Sequence, residues 1–142
     1  MAVVYFDASA FVKLLVEEDG TDLAAELWDN CDLAASSRLT YPEVRAALGA
    51  AHRDHRIDAR QLRRLEREWE TFWDATRPVE LTPVIMRGAR KLCAKHGLRG
   101  ADGVHLASAL ALMTARVDLV MAVWDVRSAA GATAAGVRVA PK

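Results

Sequence analysis

Apolar residues recur along the chain in two patterns, short continuous runs and sets spaced three or four residues apart. Runs rich in β-branched and aromatic residues at 3–6 and 119–124, each followed by an aspartate, predict buried strands. Weaker runs predict further strands, which cover residues 33–36, 79–82 and 137–139. Helical spacing predicts helices between the strands, with a short last one closed by Gly136. The longer helices are expected at residues 9–17, 21–30, 40–52, 58–75, 83–96 and 102–115.

The alternation of predicted strands with predicted helices indicates the fold class. Such a chain forms a mostly parallel central sheet with helices on both faces. The sequence shows no internal repeat, no low-complexity segment and no linker rich in proline and glycine. A length of 142 residues suits one domain. We therefore expect a single α/β domain over residues 1–142.

Composition and charge narrow the class of protein without indicating a partner. Hydrophobic residues make up 52% of the chain and charged residues 27%, which favours a buried core over disorder. Lys and Arg together number 19, as do Asp and Glu, so the net charge is zero. The charges are segregated, acidic at residues 17–32 and basic at 45–67 and 87–99. Segregation lets a neutral protein present a basic surface to a polyanion.

Six arginines between residues 53 and 67 form a basic stripe. The stripe comprises Arg53, Arg56, Arg60, Arg63, Arg64 and Arg67. Such a run is most often a solvated helix face. It also suits the steering of RNA or contact with an acidic patch on a partner.

The cysteines and the N-terminal segment bear on the cellular compartment. Cys31 and Cys93 lie far apart without metal-binding spacing, so two buried reduced thiols are expected rather than a disulfide. The start of the chain lacks the basic region and the apolar length of a signal peptide. No segment reaches the roughly 18 apolar residues that a membrane helix needs. We therefore expect a cytoplasmic protein without a membrane anchor.

Four acidic residues carry the candidate chemistry. Asp7 and Asp125 follow the two clearest strands, and open parallel sheets bind ligands outside the carboxyl ends of their strands. Asp102 opens a predicted helix, and Glu43 lies in the first turn of another. Each acid also has a structural explanation, because aspartate is a favoured N-cap and Thr40-x-x-Glu43 fits a capping box. Taken one at a time, capping is the favoured interpretation at each position.

Four segments of the chain resemble the successive motifs of one family. The segments are Asp7-Ala8-Ser9, Tyr41-Pro42-Glu43-Val44-Arg45-Ala46-Ala47-Leu48, Arg99-Gly100-Ala101-Asp102-Gly103-Val104-His105-Leu106-Ala107-Ser108-Ala109 and Trp124-Asp125-x-Arg127. The ordered set resembles PIN domains, and among these it is most similar to the VapC toxins of prokaryotic toxin–antitoxin pairs. The resemblance extends from Asp7 to Gly136, which is nearly the whole chain.

This resemblance implies an acidic pocket that binds Mg²⁺ or Mn²⁺ and hydrolyses RNA. Asp7, Glu43, Asp102 and Asp125 match the acidic positions of the family and are the implied catalytic residues. Carboxylates brought close together repel each other, and a hard divalent cation with oxygen ligands relieves that repulsion. We assign Asp7, Asp102 and Asp125 to metal binding. Glu43 either contacts the metal through another ligand, binds a second metal or activates water as a base. One bound metal and two remain alternatives.

Four further residues beside the acidic motifs are candidates for supporting roles. Ser9 suits either a hydrogen bond within the pocket or a local turn. His105 lies one helical turn after Asp102, where a structural hydrogen bond is favoured over contact with substrate. Arg99 and Arg127 suit bidentate contacts with RNA phosphates, and a solvated or ion-paired arginine is the equal alternative.

The resemblance also implies two protein partners. In VapC-like proteins, the helices near the N-terminus and at residues 40–75 form a groove for a VapB-like antitoxin and a homodimer contact. An antitoxin segment that covers the acidic pocket inhibits by neutralising the carboxylates, often through an arginine. Leu65 and Trp69 are expected to belong to the core or to an interface, so unchanged antitoxin affinity after substituting either would count against this groove.

Two positions depart from the family pattern. The position two before Asp125 is often Thr or Ser, and Val123 in its place is expected to remove a polar contact at the pocket rim. The residue after Asp102 is usually Ala, and here it is Gly103. Neither change removes a carboxylate, so both are compatible with activity.

Other protein classes also place aspartates at strand ends. A receiver-like phosphotransfer domain needs a late-strand lysine, and residues 119–139 contain none. A haloacid-dehalogenase-type phosphatase needs Asp-x-Asp, and Ser9 holds the second position here. A catalytically silent PIN-like binding module, and DNA as the substrate in place of RNA, stay open as alternatives.

Overall fold

Five parallel strands form the central sheet of the computed structural model, which describes all 142 residues. The strands are β1 (Ala2–Phe6), β2 (Leu33–Ser37), β3 (Arg77–Val79), β4 (Asp118–Ala122) and β5 (Arg138–Ala140). Their order across the sheet is β3-β2-β1-β4-β5, so β1 lies in the centre and pairs with β2 and β4. A central parallel strand is covered on both faces, which explains the continuous apolar run of β1.

Seven helices connect the strands and cover the sheet. They are α1 (Ala8–Leu15), α2 (Thr21–Asn30), α3 (Thr40–Arg53), α4 (Ala59–Asp74), α5 (Pro83–His96), α6 (Gly100–Leu112) and α7 (Val126–Ala134). One face of the sheet packs against α1, α3 and α4 in a cluster that includes Phe6, Phe11 and Trp69. The other face packs against α6 and α7 through residues that include Leu106 and Ala132. The predicted α/β fold, with a parallel sheet and helices on both faces, is confirmed.

Two strands end more than one residue away from the positions predicted. β3 covers Arg77–Val79 rather than 79–82, because Thr82 serves as the N-cap of α5 and cannot extend the strand. β4 ends two residues earlier than predicted, at Ala122, which is the last of its residues paired with β1. Asp125 therefore follows β4 after two intervening residues.

Two predicted helix caps are wrong. Arg99 is the N-cap of α6, so Asp102 lies in the first turn, where a carboxylate interacts favourably with the helix dipole. α6 accordingly begins two residues earlier and ends three residues earlier than predicted. The capping box of Thr40 and Glu43 is absent, because Leu39 is the N-cap of α3 and makes no side-chain bond. Both acids are thereby free of capping and able to face a site.

The apolar residues of α4 belong mainly to the core. Leu65 and Trp69 are buried, and the centroid of the Trp69 ring lies 4.8 Å from that of Phe11. Leu62 and Phe72 pack against the same cluster while remaining partly exposed. Substitutions at Leu65 or Trp69 therefore disturb the core before they disturb any surface for a partner.

The two departures from the family pattern have packing explanations. A Cβ at Gly103 would lie 2.3 Å from Cys93 Sγ and 3.0 Å from the carbonyl oxygen of Ala89. Glycine at this position thus lets α6 approach α5 while the Cys93 sulfur fills the space between them. Val123 is 1% exposed and belongs to the core beneath α6 and α7, so it does not lie at a pocket rim.

The cysteines are free thiols, as predicted, but they are only partly buried. Neither Cys31 nor Cys93 forms a disulfide. Burial raises the pKa of the Cys31 thiol. No helix of the chain combines the length and the apolar character needed to cross a membrane.

Candidate active site

An acidic pocket lies at the carboxyl ends of β1 and β4. Residues in the first two turns of α3 and α6 also contribute side chains to it. Parallel strands end at a common edge, which brings distant parts of the sequence together there. The pocket has a volume of about 350 Å³. It is lined by Asp7, Ala8, Ser9, Glu43, Arg99, Ala101, Asp102, His105 and Asp125. All four predicted acids and three of the four predicted supporting residues therefore meet in one place.

Arg127 lies outside the acidic pocket. It lines an adjoining depression together with Arg99 and Asp125. Because Arg99 and Asp125 line both spaces, a molecule seated on the acids can extend toward Arg127 at the start of α7.

Asp7 caps a helix and lines the pocket at the same time. Its Oδ1 accepts hydrogen bonds from the backbone N–H of Ala10, at 2.9 Å, and from the Ser9 hydroxyl, at 2.7 Å. Burial raises the pKa of the Asp7 carboxyl, and nearby His105 and these hydrogen bonds oppose that rise. Asp7 thus caps α1 and also lines the pocket. These hydrogen bonds hold its carboxyl group in a poorly solvated position.

Glu43 and His105 form one side of the pocket, where His105 is buried and Glu43 is partly exposed. Glu43 Oε1 lies 2.7 Å from His105 Nε2, although the two residues belong to different helices. The other ring nitrogen, Nδ1, lies 2.7 Å from the hydroxyl oxygen of Tyr5. The predicted structural hydrogen bond of His105 is therefore observed, and its acceptor is a residue of the site.

Asp102 and Asp125 form the other side, with the exposed Arg99 guanidinium between them. Arg99 Nε lies 3.4 Å from Asp102 Oδ2, and Arg99 Nη2 lies 3.5 Å from Asp125 Oδ1. Asp125 also caps α7 by accepting the N–H of Ser128, a bond that chiefly lowers its pKa. The Arg99 side chain is 71% exposed, so solvent screens these ion pairs and they are weak.

One carboxylate oxygen in the pocket has no hydrogen bond. Asp102 Oδ2 is buried from solvent, and its contact with Arg99 satisfies the distance for an ion pair without forming a hydrogen bond. A buried polar oxygen without a donor is costly, and ordered ligands are one way in which proteins remove that cost.

The segment that carries Asp125 is held against the α1–α2 turn. The Lys13 ammonium lies 5.1 Å from the centroid of the Trp124 ring. Gly20, whose φ is +94°, packs so closely on Trp124 that a Cβ there would lie 2.6 Å from the indole nitrogen. Glycine at this turn therefore lets Trp124 fix the backbone just before Asp125.

The model of the PIN domain family matches residues 4–117. This chain belongs to the PIN-domain family. The match covers β1 through α6, and with them Asp7, Glu43 and Asp102.

Individual proteins extend the likeness beyond that match. Ribonuclease VapC45 of Mycobacterium tuberculosis is 61% identical over 99% of this chain and 96% of its own. PAE2754 from Pyrobaculum aerophilum has a similar structure, with a TM-score of 0.72 at 19% identity over 97% of this chain and 83% of that one. A toxin–antitoxin complex from Klebsiella pneumoniae gives a TM-score of 0.63 at 20% identity over 90% and 91% of the chains. The two structures support the PIN fold alone.

The PIN-domain pocket has the donor atoms for a hard cation, but its acids are engaged elsewhere. No group of three or more His, Cys, Asp or Glu side chains has the arrangement of a metal site. Glu43 is bonded to His105, and Arg99 lies between Asp102 and Asp125. The carboxylate chemistry and the unbonded oxygen of Asp102 fit Mg²⁺ or Mn²⁺, provided that Arg99 moves aside.

Tyr5 is the residue of this PIN-domain site that sequence reasoning missed. The apolar run at residues 3–6 predicts only a strand residue at this position, yet the Tyr5 hydroxyl contacts His105 at the base of the pocket. A signal was available, because a buried tyrosine hydroxyl needs a hydrogen-bond partner and its neighbours Val4 and Phe6 offer none.

Proposed function

We propose that the domain formed by residues 1–142 is a metal-dependent endoribonuclease and the toxin of a toxin–antitoxin pair. The observation that carries the proposal is the convergence of four acids from separate segments in one pocket at the carboxyl edge of the sheet. Its relative of 61% identity, which spans nearly the whole chain, is named a ribonuclease. A cellular RNA substrate and an antitoxin both imply that the protein acts in the cytoplasm.

Asp7, Asp102 and Asp125 would hold Mg²⁺ or Mn²⁺. Once bound, such a cation activates water and neutralises charge on the phosphate. The surrounding chain fixes the three carboxylates differently. Asp7 is held by Ala10 and the Ser9 hydroxyl, and Asp125 by the backbone N–H of Ser128, whereas Asp102 contacts only the exposed Arg99 side chain.

Glu43 suits the role of general base. His105 occupies one of its carboxylate oxygens, which leaves Oε2 to accept the proton of a water in the pocket. That water would add to phosphorus as the P–O bond to the leaving ribose oxygen breaks, and the leaving oxygen takes a proton from solvent. Glu43 as a ligand instead of a base is the alternative that a pH–rate profile and metal titration of the Glu43→Gln variant would distinguish.

Arg99 and Arg127 suit the binding of RNA phosphates on either side of the broken bond. Both side chains are exposed and line the depression next to the acids. A phosphate that takes the Arg99 guanidinium would also remove it from Asp102 and Asp125. Substrate binding and the freeing of the metal-binding carboxylates would then support each other.

A groove between α1 and α3 is the surface that best suits an antitoxin. It is lined mainly by apolar side chains, including Val12, Val16, Ala47 and Ile57. A known toxin–antitoxin complex shares this fold. Val16→Asp is expected to weaken binding of the cognate antitoxin, whereas Val84→Asp on the distant helix α5 should leave it unchanged. The homodimer is part of the same proposal, and light scattering of the purified chain tests it.

The first experiment incubates the purified chain with cellular RNA in Mg²⁺, in Mn²⁺ or with a chelator. Asp7→Asn and Asp102→Asn are compared with Asp22→Asn, an exposed acid on α2 that lies outside the pocket. We expect cleavage that needs metal, persists in Asp22→Asn and disappears in the other two folded variants. Equal cleavage by all variants would exclude the acidic pocket as the active site. Binding of RNA without cleavage would favour a silent binding module, and cleavage of DNA alone would change the substrate.

A further inference from the structure

A chain of three hydrogen-bonded side chains runs from the centre of the sheet to the acidic pocket. Tyr5 lies on β1, His105 on α6 and Glu43 on α3. The Tyr5 hydroxyl lies 2.7 Å from His105 Nδ1, and His105 Nε2 lies 2.7 Å from Glu43 Oε1. The chain thus joins three elements that are far apart in the sequence.

The partners of Tyr5 bear on the direction of the hydrogen bonds. The backbone N–H of Ser37 lies 3.0 Å from the Tyr5 hydroxyl oxygen and can only donate to it. The tyrosine proton can then go to His105 Nδ1 or to the hydroxyls of Ser36 and Ser108, and the first direction is the one the proposal adopts. A neutral imidazole that accepts at Nδ1 carries its own proton on Nε2, which is the nitrogen that faces Glu43.

Burial protects these hydrogen bonds from competition with water. Tyr5 is fully buried and His105 is 4% exposed, so water does not compete for either side chain. A hydrogen bond in such surroundings is stronger than one at the surface, and leaving either group without a partner is unfavourable. Glu43, by contrast, is only partly buried and reaches the pocket.

We propose that Tyr5 and His105 are positioning residues that hold the Glu43 carboxylate in place, with Tyr5 selecting the ring tautomer of His105 that donates to Glu43. This inference rests on the function proposed above, because the role of Glu43 is defined by RNA hydrolysis. Glutamate has a long, flexible side chain, and a fixed donor on Oε1 restricts where Oε2 can point. Groups that orient a catalytic or metal-binding side chain typically change activity by about 10–100-fold when removed.

The first arm of the test measures the tautomer directly. Long-range ¹H–¹⁵N correlation spectra of the labelled protein, recorded at mildly alkaline pH, identify which nitrogen of His105 carries the proton. We expect a protonated Nε2 and an unprotonated Nδ1 in the wild type, and loss of this single pattern in Tyr5→Phe. A proton on Nδ1, or on both nitrogens, in the wild type would overturn the proposal whether or not the protein cleaves RNA.

The second arm measures cleavage kinetics in four folded variants. Tyr5→Phe removes the donor, His105→Leu removes the ring, and His105→Gln retains an N–H₂ group at about the position of Nε2. Met121→Leu is the control, since Met121 is a buried register partner of Tyr5 that makes no hydrogen bond with its side chain. Melting curves and circular dichroism establish that each variant is folded.

We expect kcat to fall roughly tenfold in Tyr5→Phe and roughly 100-fold in His105→Leu, with KM little changed. His105→Gln should recover much of the loss, and Met121→Leu should match the wild type. In the background of Glu43→Gln, neither Tyr5→Phe nor His105→Leu should reduce the rate further, because all three act through one group.

Two results would refute the positioning role. One is wild-type kcat in folded His105→Leu, and the other is equal loss in His105→Gln and His105→Leu, which would indicate simple packing. If the wild type fails to cleave RNA with any metal, the proposed function fails, and the tautomer spectrum still decides whether Tyr5 and His105 present an N–H to Glu43.

Discussion

The two sides of the acidic pocket are built in different ways. We call Asp7, Glu43 and His105 the inner half and Asp102, Asp125 and Arg99 the outer half. In the inner half, each side chain is held by hydrogen bonds of 2.7–2.9 Å to the backbone or to another side chain. In the outer half, the contacts between the two acids and Arg99 are ion pairs of 3.4–3.5 Å to an exposed side chain.

This difference indicates which half is preformed. The inner half is the better ordered, because its bonds are buried or partly buried and link the start of α1, α3 and α6. In the outer half, the solvated Arg99 side chain pairs with the two carboxylates. A screened ion pair of this kind contributes about 0–1 kcal/mol to the stability of the fold. A metal ion or a phosphate could therefore rearrange the outer half at small cost, while the inner half would keep its arrangement.

The largest expected effect comes from Asp7, in the inner half. Asp7→Asn should lower metal-dependent cleavage of RNA by roughly a thousandfold or more, because it removes a charged ligand for a cation that contributes several kcal/mol to the transition state. Asparagine remains a good N-cap, so α1 should persist in circular dichroism spectra. A folded variant with near wild-type kcat would show that Asp7 serves α1 alone.

Glu43 is expected to have the next largest effect. Glu43→Gln keeps the shape of the side chain and an oxygen that can accept from His105, but it cannot take a proton. We expect kcat to fall by roughly 100-fold or more, with KM nearly constant. A change confined to KM, or to the affinity for Mn²⁺ measured by calorimetry, would assign Glu43 to binding in place of proton transfer.

Arg99 tests the outer half. Arg99→Ala should raise KM by about tenfold. It should also reduce the slope of log K for RNA binding against log salt concentration by about one, as expected for one lost phosphate contact. The same change should tighten Mn²⁺ binding, because the guanidinium no longer competes for Asp102 and Asp125. Arg90→Ala, an exposed arginine on α5, is the matched control. Weaker Mn²⁺ binding in Arg99→Ala would contradict the displaceable-arginine account.

Gly103 connects the two halves, because α6 carries both Asp102 and His105. Gly103→Ala would place a Cβ against Cys93 Sγ and should lower the free energy of unfolding by about 1–3 kcal/mol, as overpacked cores do. Adding Cys93→Ala should restore most of that loss. Urea unfolding of the two variants measures both effects, and an additive result would argue against the close α5–α6 contact.

The smallest effect concerns pH and the metal-free protein. Burial raises the pKa of Asp7 above its ordinary value of 3.8, so the folded state favours the protonated form. The contribution of this carboxyl group to the free energy of unfolding is therefore greatest below its pKa in the unfolded chain. It is lost as the pH rises through its pKa in the folded protein. Metal-free wild type should therefore gain less Tm than Asp7→Asn when both are taken from acidic to neutral pH. Identical Tm profiles would mean that Asp7 is well solvated or well compensated.

The strongest local signals in the sequence predicted the sheet correctly. The apolar runs of β1 and β4 indicate buried strands because both faces of a central parallel strand are covered, and the structure confirms them. Asp7 and Asp125 were predicted at the edge because they follow these strands. The weaker strand β3 was displaced by two residues, because Thr82 and Pro83 belong to the start of α5.

The arrangement within the site depended on contacts that local pattern does not contain. The sequence presented Thr40 and Glu43 as a capping box and Asp102 as an N-cap, and neither prediction is correct. In the fold, the Thr40 hydroxyl is bonded to Ser36, and Glu43 bonds to His105, 62 residues away.

By itself, the sequence determined the α/β class, the strands that precede Asp7 and Asp125, and the likeness to PIN domains. Hydrophobic periodicity and the order of motifs can both be read directly along the chain. Only the tertiary structure decided that Tyr5 meets His105, that Arg99 lies between two acids and that Gly103 makes room for Cys93. Those contacts join residues that are separated in sequence or lie on different faces. Their geometry follows from how the helices pack on the sheet, which no spacing along the chain specifies.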